Sequence, residues 1–309
     1  MSAADAVHGE TQTRWARGLA ELAPHYDGFV IDQFGVLHDG QRPYNGAAAA
    51  LLALRSQGKR VLVLSNSGKR AAHNRQRLAA FGISADHADG VLTSGELTWQ
   101  MLHQRDRLPW SKLGAKVLML SPGDDAAMIE GLPLTRVDAV DDADFLLLAS
   151  FPESLPPAAL AVLLQTAAKR SLPLLCANPD RHRLTASGVL PSCGSLASGY
   201  RAMGGPVIWV GKPYPLIYEA SREWLARLGA TRICAIGDSL EHDVRGGAGA
   251  GFDTCFIAGG LHSGDFARSA KTTGVDGFAA SQAELARLMT WPAISGVPAP
   301  NWALHTLNW

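Results

Sequence analysis

The sequence predicts an α/β protein, a parallel sheet carrying helices on its faces with a second α/β domain spliced into it. Three observations predict this. Short β-branched or leucine-rich runs alternate with longer amphipathic segments along the chain. Four of those runs end in polar residues, at Asp32, at Ser65 with Asn66, at Lys212, and at Asp238 with Asp243, as strands do where an open α/β sheet collects its chemistry. Finally, the interval from Asp32 to Ser65 has room for one helix and one strand, whereas Ser65 to Lys212 could hold a whole subdomain with its own core.

The elements follow in order. A first strand is expected at Phe29–Ile31, inside FVIDQFGVLHDG, where a lone carboxylate, Asp32, sits between an apolar run and a glycine turn. A helix over 45–57 carries an alanine run at 47–50 and is closed by Gly58. The strand Arg60–Ser65 comes next, then a helix over 69–81 closed by Gly82 and another over 94–103. Strands at Lys116–Leu120 and Asp144–Ala149, a helix over 156–169 and a strand at Pro173–Cys176 fall in the long interval. After the turn Gly204, Gly205, Pro206, a strand at Val207–Val210 leads to a helix over 214–228, which Gly229 closes; Pro213 suits its first turn. The strand Arg232–Ile236, a helix over 241–250, the strand Thr254–Ile257 and a helix over 282–290 complete the pattern. The expected division is a core domain of 1–90 and 206–309 with an inserted domain at 91–205.

Composition narrows the function. With 47% hydrophobic and 18% charged residues the 309-residue chain is globular in character, and its formal net charge of zero gives no global field toward nucleic acid or an anionic membrane. No apolar run is long enough to span a bilayer, and MSAADAVHGETQTRWARG at the start lacks the apolar stretch of a secretory signal. Cys176, Cys193, Cys234 and Cys255 show no CxxC and no histidine spacing; Cys234 and Cys255 sit in apolar strand-like runs, where burial as small hydrophobes is expected, and a reducing cytosol fits this usage. GGAGAG at 246–251 does not fit a dinucleotide fingerprint, the ten histidines show no metal spacing, and Trp291, Trp302 and Trp309 are expected to pack a tail.

Four motifs stand in order: IDQFGVL, VLSNS at 63–67, VGKPYP at 210–215 and IGDSLEHD at 236–243. Together they resemble those of the haloacid dehalogenase (HAD) superfamily. LHDG at 37–40, NPD at 178–180 and PSCGSLASGY at 191–200 narrow the resemblance to class IIA, the NagD-type and 4-nitrophenylphosphatase-like hydrolases, over about Leu22 to Gly260. The resemblance implies a Rossmann-like core with an inserted α/β cap of the C2 type. It also implies an Mg²⁺-dependent phosphatase of small phosphate monoesters that forms an aspartyl-phosphate and can pair with a second copy through the cap.

The residues suit that chemistry. A carboxylate such as Asp32 is a usable nucleophile toward phosphorus when a divalent cation and a lysine screen the repulsion. Ser65, with the N–H groups of Asn66 and Ser67, can hold phosphate oxygens, although Ser65 and Asn66 are also good helix caps. Lys212 supplies positive charge. Asp238 is a hard oxygen ligand for Mg²⁺, and Asp243 either shares that role or is a charge at a helix start. By resemblance the backbone carbonyl of Phe34 is a further metal ligand. Asn178 and Asp180 are either substrate contacts or an ordinary turn. One departure stands out: Phe34 occupies the place where the phosphatases of the superfamily carry the aspartate that protonates the leaving group. A lost general acid/base is worth about 10²–10⁴ in rate. His38, Asp39 and His242 are the candidate substitutes, and the alternative function is a phosphate-ligand-binding or regulatory protein with little turnover.

Overall fold

The computed structural model describes residues 13–121, 123, 125–185, 188–273 and 277–309. The start of the chain read above for a signal lies, over residues 1–12, outside them. The chain forms two compact units, one built from the described residues up to Arg60 with Ala230–Trp309, the other from Val61–Gly229.

In the first unit the strands run, side by side and all parallel, in the order Arg14–Trp15, Trp302–Leu304, Asp253–Ile257, Ile233–Gly237, Gly28–Asp32. Every residue of Gly28–Asp32 and of Ile233–Gly237 is buried, which explains why both read as unbroken apolar runs and not as alternating ones. Behind them Leu240, Val244, Phe256, Phe266, Leu285, Leu288 and Ile294 form one core cluster. The helices Ser263–Thr273 and Gly277–Met289 pack on each other beside it.

The tryptophan-bearing tail does pack, and as a strand. Trp302–Leu304 pairs with Asp253–Ile257 on one side and Arg14–Trp15 on the other, so both ends of the described chain meet in the sheet. Tyr26 Oη accepts from Trp302 Nε1 at 2.9 Å and donates to Asp253 Oδ2 at 2.7 Å.

In the second unit Leu62–Ser65, of the strand Arg60–Ser65, pairs in parallel with Gly90–Thr93. A separate parallel sheet has the order Val207–Trp209, Leu174–Cys176, Phe145–Leu148, Lys116–Met119, Thr135–Val137. Its core includes Leu118, Leu146, Leu148, Leu160, Leu164, Leu174 and Tyr200, contributed by the strands and by the helices Pro157–Lys169 and Cys193–Ala202. A short antiparallel hairpin joins His182–Thr185 to Gly188–Pro191.

Gly58, Gly82 and Gly229 follow helices at φ of +74°, +79° and +84°, the left-handed conformation that ends a helix without a Cβ penalty. Pro213 is not in the first turn of its helix. That helix is Pro215–Arg227, with Pro215 at its first position, because the chain needs one more turn to leave the strand Val207–Trp209.

Candidate active site

In the first unit three carboxylates converge. Asp32 ends its strand, Asp238 follows the strand Ile233–Gly237, and Asp243 lies in the π-helical turn Leu240–Val244. All three are buried, and each offers a ligand oxygen within 4.8 Å of the others. The surrounding backbone fits closely around them. A Cβ on Gly237 would lie 2.0 Å from Asp243 Cγ, one on Gly260 2.3 Å from Asp238 Oδ2, and one on Gly35 1.8 Å from the same oxygen. Gly35 also has φ +84°, so that turn admits glycine for two reasons. Leu261 N–H donates to Asp238 Oδ2 at 2.7 Å, and Ser239 N–H to Asp243 Oδ2 at 3.1 Å. Asp243 is therefore a buried member of the carboxylate group and not merely a charge at a helix start. Hard carboxylate oxygens held this closely are the donor set Mg²⁺ takes, and the cation's charge offsets the burial of so much negative charge.

Phe34 stands on the turn after Asp32 with its side chain 44% exposed, ring edge-to-face with His38 at 6.0 Å. His38 is buried, and both its ring nitrogens have partners: Gly40 N–H donates to Nδ1 at 3.0 Å, and the Gln33 carboxamide lies 3.1 Å from Nε2. Since Nδ1 accepts, the neutral ring carries its proton on Nε2, and Gln33 must turn Oε1 toward it. Asp39 is fully exposed and its Oδ1 accepts from the N–H groups of Gln41 and Arg42 at 2.8 and 2.6 Å. Those backbone bonds hold its carboxyl below the usual carboxylate range, which suits a turn and not a proton donor. His242 is half-buried, with Nδ1 3.1 Å from Ser239 Oγ.

In the second unit a second polar group forms. Ser65 ends its strand, and Ser67 N–H donates to Ser65 Oγ at 3.2 Å. The helix expected to begin at 69 begins at Ala71, so the N–H groups of Asn66 and Ser67 belong to a loop and not to a helix end. Lys212, buried, follows the strand Val207–Trp209, whose neighbour is Leu174–Cys176, so its strand lies in the five-stranded sheet. Asn66 joins the loops: Nδ2 donates to Asp180 Oδ1 at 2.7 Å and to the Lys212 carbonyl at 3.0 Å, and Oδ1 accepts from Lys212 N–H at 2.7 Å. Asn178 Oδ1 accepts from Asp180 N–H at 3.1 Å, so NPD is a turn whose one carboxylate, Asp180, reaches Asn66.

Several contributors were not expected from the sequence. Ser94, wholly buried, lies 3.4 Å through Oγ from both the Ser65 carbonyl and Asn66 Oδ1. It follows the four-residue strand Gly90–Thr93, and the signal that could have found it is the capping box: Thr93 Oγ1 accepts from Glu96 N–H at 2.9 Å. Asp125 is also buried, receiving Ser150 N–H at 2.9 Å, Ser150 Oγ at 2.8 Å and Lys69 Nζ at 3.1 Å. All four cysteines are buried free thiols, Cys234 and Cys255 as expected; burial, then the charges of Asp125 and Asp180, push Cys193 up to about 12. Among the described residues no helix is long and apolar enough to cross a membrane.

Comparison with known proteins agrees with the motifs. A family model described as haloacid dehalogenase-like hydrolase matches residues 29–134, and a second, HAD-hydrolase-like, matches 209–281. The chain is 29% identical to rat (Rattus norvegicus) chronophin over 252 residues, covering 79% of this chain and 80% of that protein. It is 29% identical over 247 residues to the sugar-phosphatase AraL of Bacillus subtilis strain 168, covering 75% and 83%. Its fold is similar to the crystal structure of a haloacid dehalogenase-like hydrolase from Brucella suis 1330, with a TM-score of 0.75 and 26% identity over 94% of this chain and 99% of that one. From these matches, and from its parallel α/β core and motif order, the chain belongs to the haloacid dehalogenase-like hydrolases.

Proposed function

We propose that this chain is a cytosolic, Mg²⁺-dependent phosphatase of small phosphate monoesters that works through an aspartyl-phosphate on Asp32. The observation that carries the reading is the buried convergence of Asp32, Asp238 and Asp243. Asp32, Asp238, Asp243 and the Phe34 carbonyl would hold the metal, which supplies positive charge to the phosphoryl group. The reading joins this cluster to Ser65, Ser67 and Lys212 in one reaction, on the strength of the motif order. An Asp32 oxygen attacks phosphorus as the bond to the leaving oxygen breaks; water then cleaves the acyl phosphate, returning the carboxylate and releasing inorganic phosphate. Lys212 offsets the charge between nucleophile and substrate, and Ser65 donates to a phosphate oxygen. The division into a core of 1–90 and 206–309 with a substrate-selecting cap at 91–205 belongs to the same reading; the five-stranded sheet has a core of its own, but it takes in the strand Val207–Trp209, which lies past 205.

Phe34 favours a second reading, a protein that binds phosphate ligands with little turnover, because a phenyl ring moves no proton. The test is hydrolysis of a panel of sugar phosphates, nucleotides and 4-nitrophenyl phosphate with Mg²⁺. Turnover that Asp32→Asn abolishes supports the enzyme, and Asp32→Asn with wild-type activity sinks the mechanism.

A further inference from the structure

Asn66 is buried one residue past Ser65, and its carboxamide is read at both ends by a single residue. Lys212 N–H donates to Oδ1 at 2.7 Å while Nδ2 donates to the Lys212 carbonyl at 3.0 Å. A flipped amide would set donor against donor and acceptor against acceptor, so the orientation is fixed by the backbone itself. A further Nδ2 hydrogen bond goes to Asp180 Oδ1 at 2.7 Å. One side chain therefore grips the main chain of Lys212 on either side of its Cα and ties it to the 178–180 turn.

The surroundings are built to permit this grip. Gly211, at φ +128°, passes so close that a Cβ there would lie 2.3 Å from Ser94 Oγ and 2.8 Å from Asn66 Oδ1. Beyond Lys212 the chain is braced by Tyr214, whose N–H donates to the Gly211 carbonyl at 2.9 Å and whose ring stacks on Trp209 at 5.0 Å.

We propose that Asn66 is a positioning residue that sets Lys212, and that it makes the setting depend on Asp180, so that ligand contact at the 178–180 turn is felt at the lysine. Its rate assays rest on the phosphatase reading; its binding assay does not. Asn66→Ala releases both grips on Lys212, and displacing a catalytic group by about 1 Å costs about a hundredfold. The kcat/KM for 4-nitrophenyl phosphate should fall by that order, mostly in kcat, since Ser65 still engages the phosphate.

Charge rearrangement separates positioning from mere structure. Asn66→Asp faces the Asp180 carboxylate with another and should be the slowest variant; Asp180→Asn keeps an acceptor for Asn66 and should be mild. The double variant Asn66→Asp/Asp180→Asn restores a donor–acceptor pair and should regain about tenfold over Asn66→Asp alone, with melting temperatures recorded for the wild type and all four variants. A wild-type rate in Asn66→Ala, a double variant no faster than Asn66→Asp, or rates that merely track melting temperature would overturn the proposal. If the wild type itself hydrolyses nothing, the phosphatase reading has failed, and positioning is then read by calorimetric titration with inorganic phosphate. Phosphate binding weakened a few-fold in Asn66→Asp and regained in the double variant supports it; equal binding in the wild type and all four variants refutes it.

Discussion

Phe34→Asp tests most directly what the first motif can do. The substitution puts a proton-transferring group two residues after Asp32, worth about 10²–10⁴ in rate, or about 3–5 kcal/mol of activation barrier. The fold can bear the change. Phe34 is 44% exposed, so about half of the 1.5–3 kcal/mol for full burial of such a side chain is at stake. The edge-to-face pair with His38 adds about 1 kcal/mol. A loss of about 2 kcal/mol leaves a domain of ordinary stability folded. The assay is kcat/KM with Mg²⁺ across aryl and alkyl phosphates of graded leaving-group acidity. The wild type should depend steeply on leaving-group acidity, because the leaving oxygen departs without a proton, and should show a burst when acyl-phosphate hydrolysis lags. Phe34→Asp should raise the rate most for poor leaving groups, flatten the dependence and shorten the burst. A folded Phe34→Asp protein with an unchanged rate and an unchanged dependence would refute the reasoning.

Other expectations follow from the same geometry. Gly237→Ala drives a methyl to within 2.0 Å of Asp243 Cγ and should abolish Mg²⁺ binding in calorimetry, whereas Gly58→Ala, in open space at φ +74°, should cost only about 1 kcal/mol in a denaturant melt. Burial opposes ionisation of Glu96, but its hydrogen bonds from Arg70 and Ala71 N–H and the charges of Arg70 and Arg75 prevail and lower its pKa. A depressed carboxylate stabilises above its ordinary value near 4.5 and loses that contribution as pH falls through the folded value, so Glu96→Gln should destabilise at pH 7 and converge with wild type in acid. Burial lowers His262, outweighing Asp265, so the unfolded chain takes up the proton first. Stability should decline as pH falls below 6.5, and His262→Phe should flatten that decline in pH-dependent melts.

Much of the fold was legible because its strands are buried on both faces and its helices end in glycine. Arg60–Ser65 matched to the residue, and Gly28–Asp32 and Ile233–Gly237 to within one or two. What escaped was short or lacked a periodic signal: Gly90–Thr93 has four residues, Thr135–Val137 has three and is largely exposed, and Cys193–Ala202 opens with Cys, Gly and Ser. The site divided the same way. Asp32, Ser65, Lys212 and Asp238 were readable as candidates, since each ends or follows an apolar run, and Asp243 through its place in the motif that Asp238 opens. Ser94, the Gly35, Gly237 and Gly260 packing around the carboxylates, and the use of Asn66 were not, because each is defined by a neighbour distant in sequence.

The sequence by itself determined the chemistry on offer: a lone carboxylate with no acid two residues on, a serine, a lysine and two more aspartates, each fixed by local strand and turn preferences that act over a few residues. Only the tertiary structure decided how those groups are held. Burial within 4.8 Å of one another makes Asp32, Asp238 and Asp243 a metal-sized cluster, and the hydrogen bonds that commit Asn66 to Lys212 and Asp180 span 146 and 114 residues of chain. Local propensity acts between residues near in sequence; coordination and hydrogen bonding require atoms within a few ångströms, and only folding brings those residues that close.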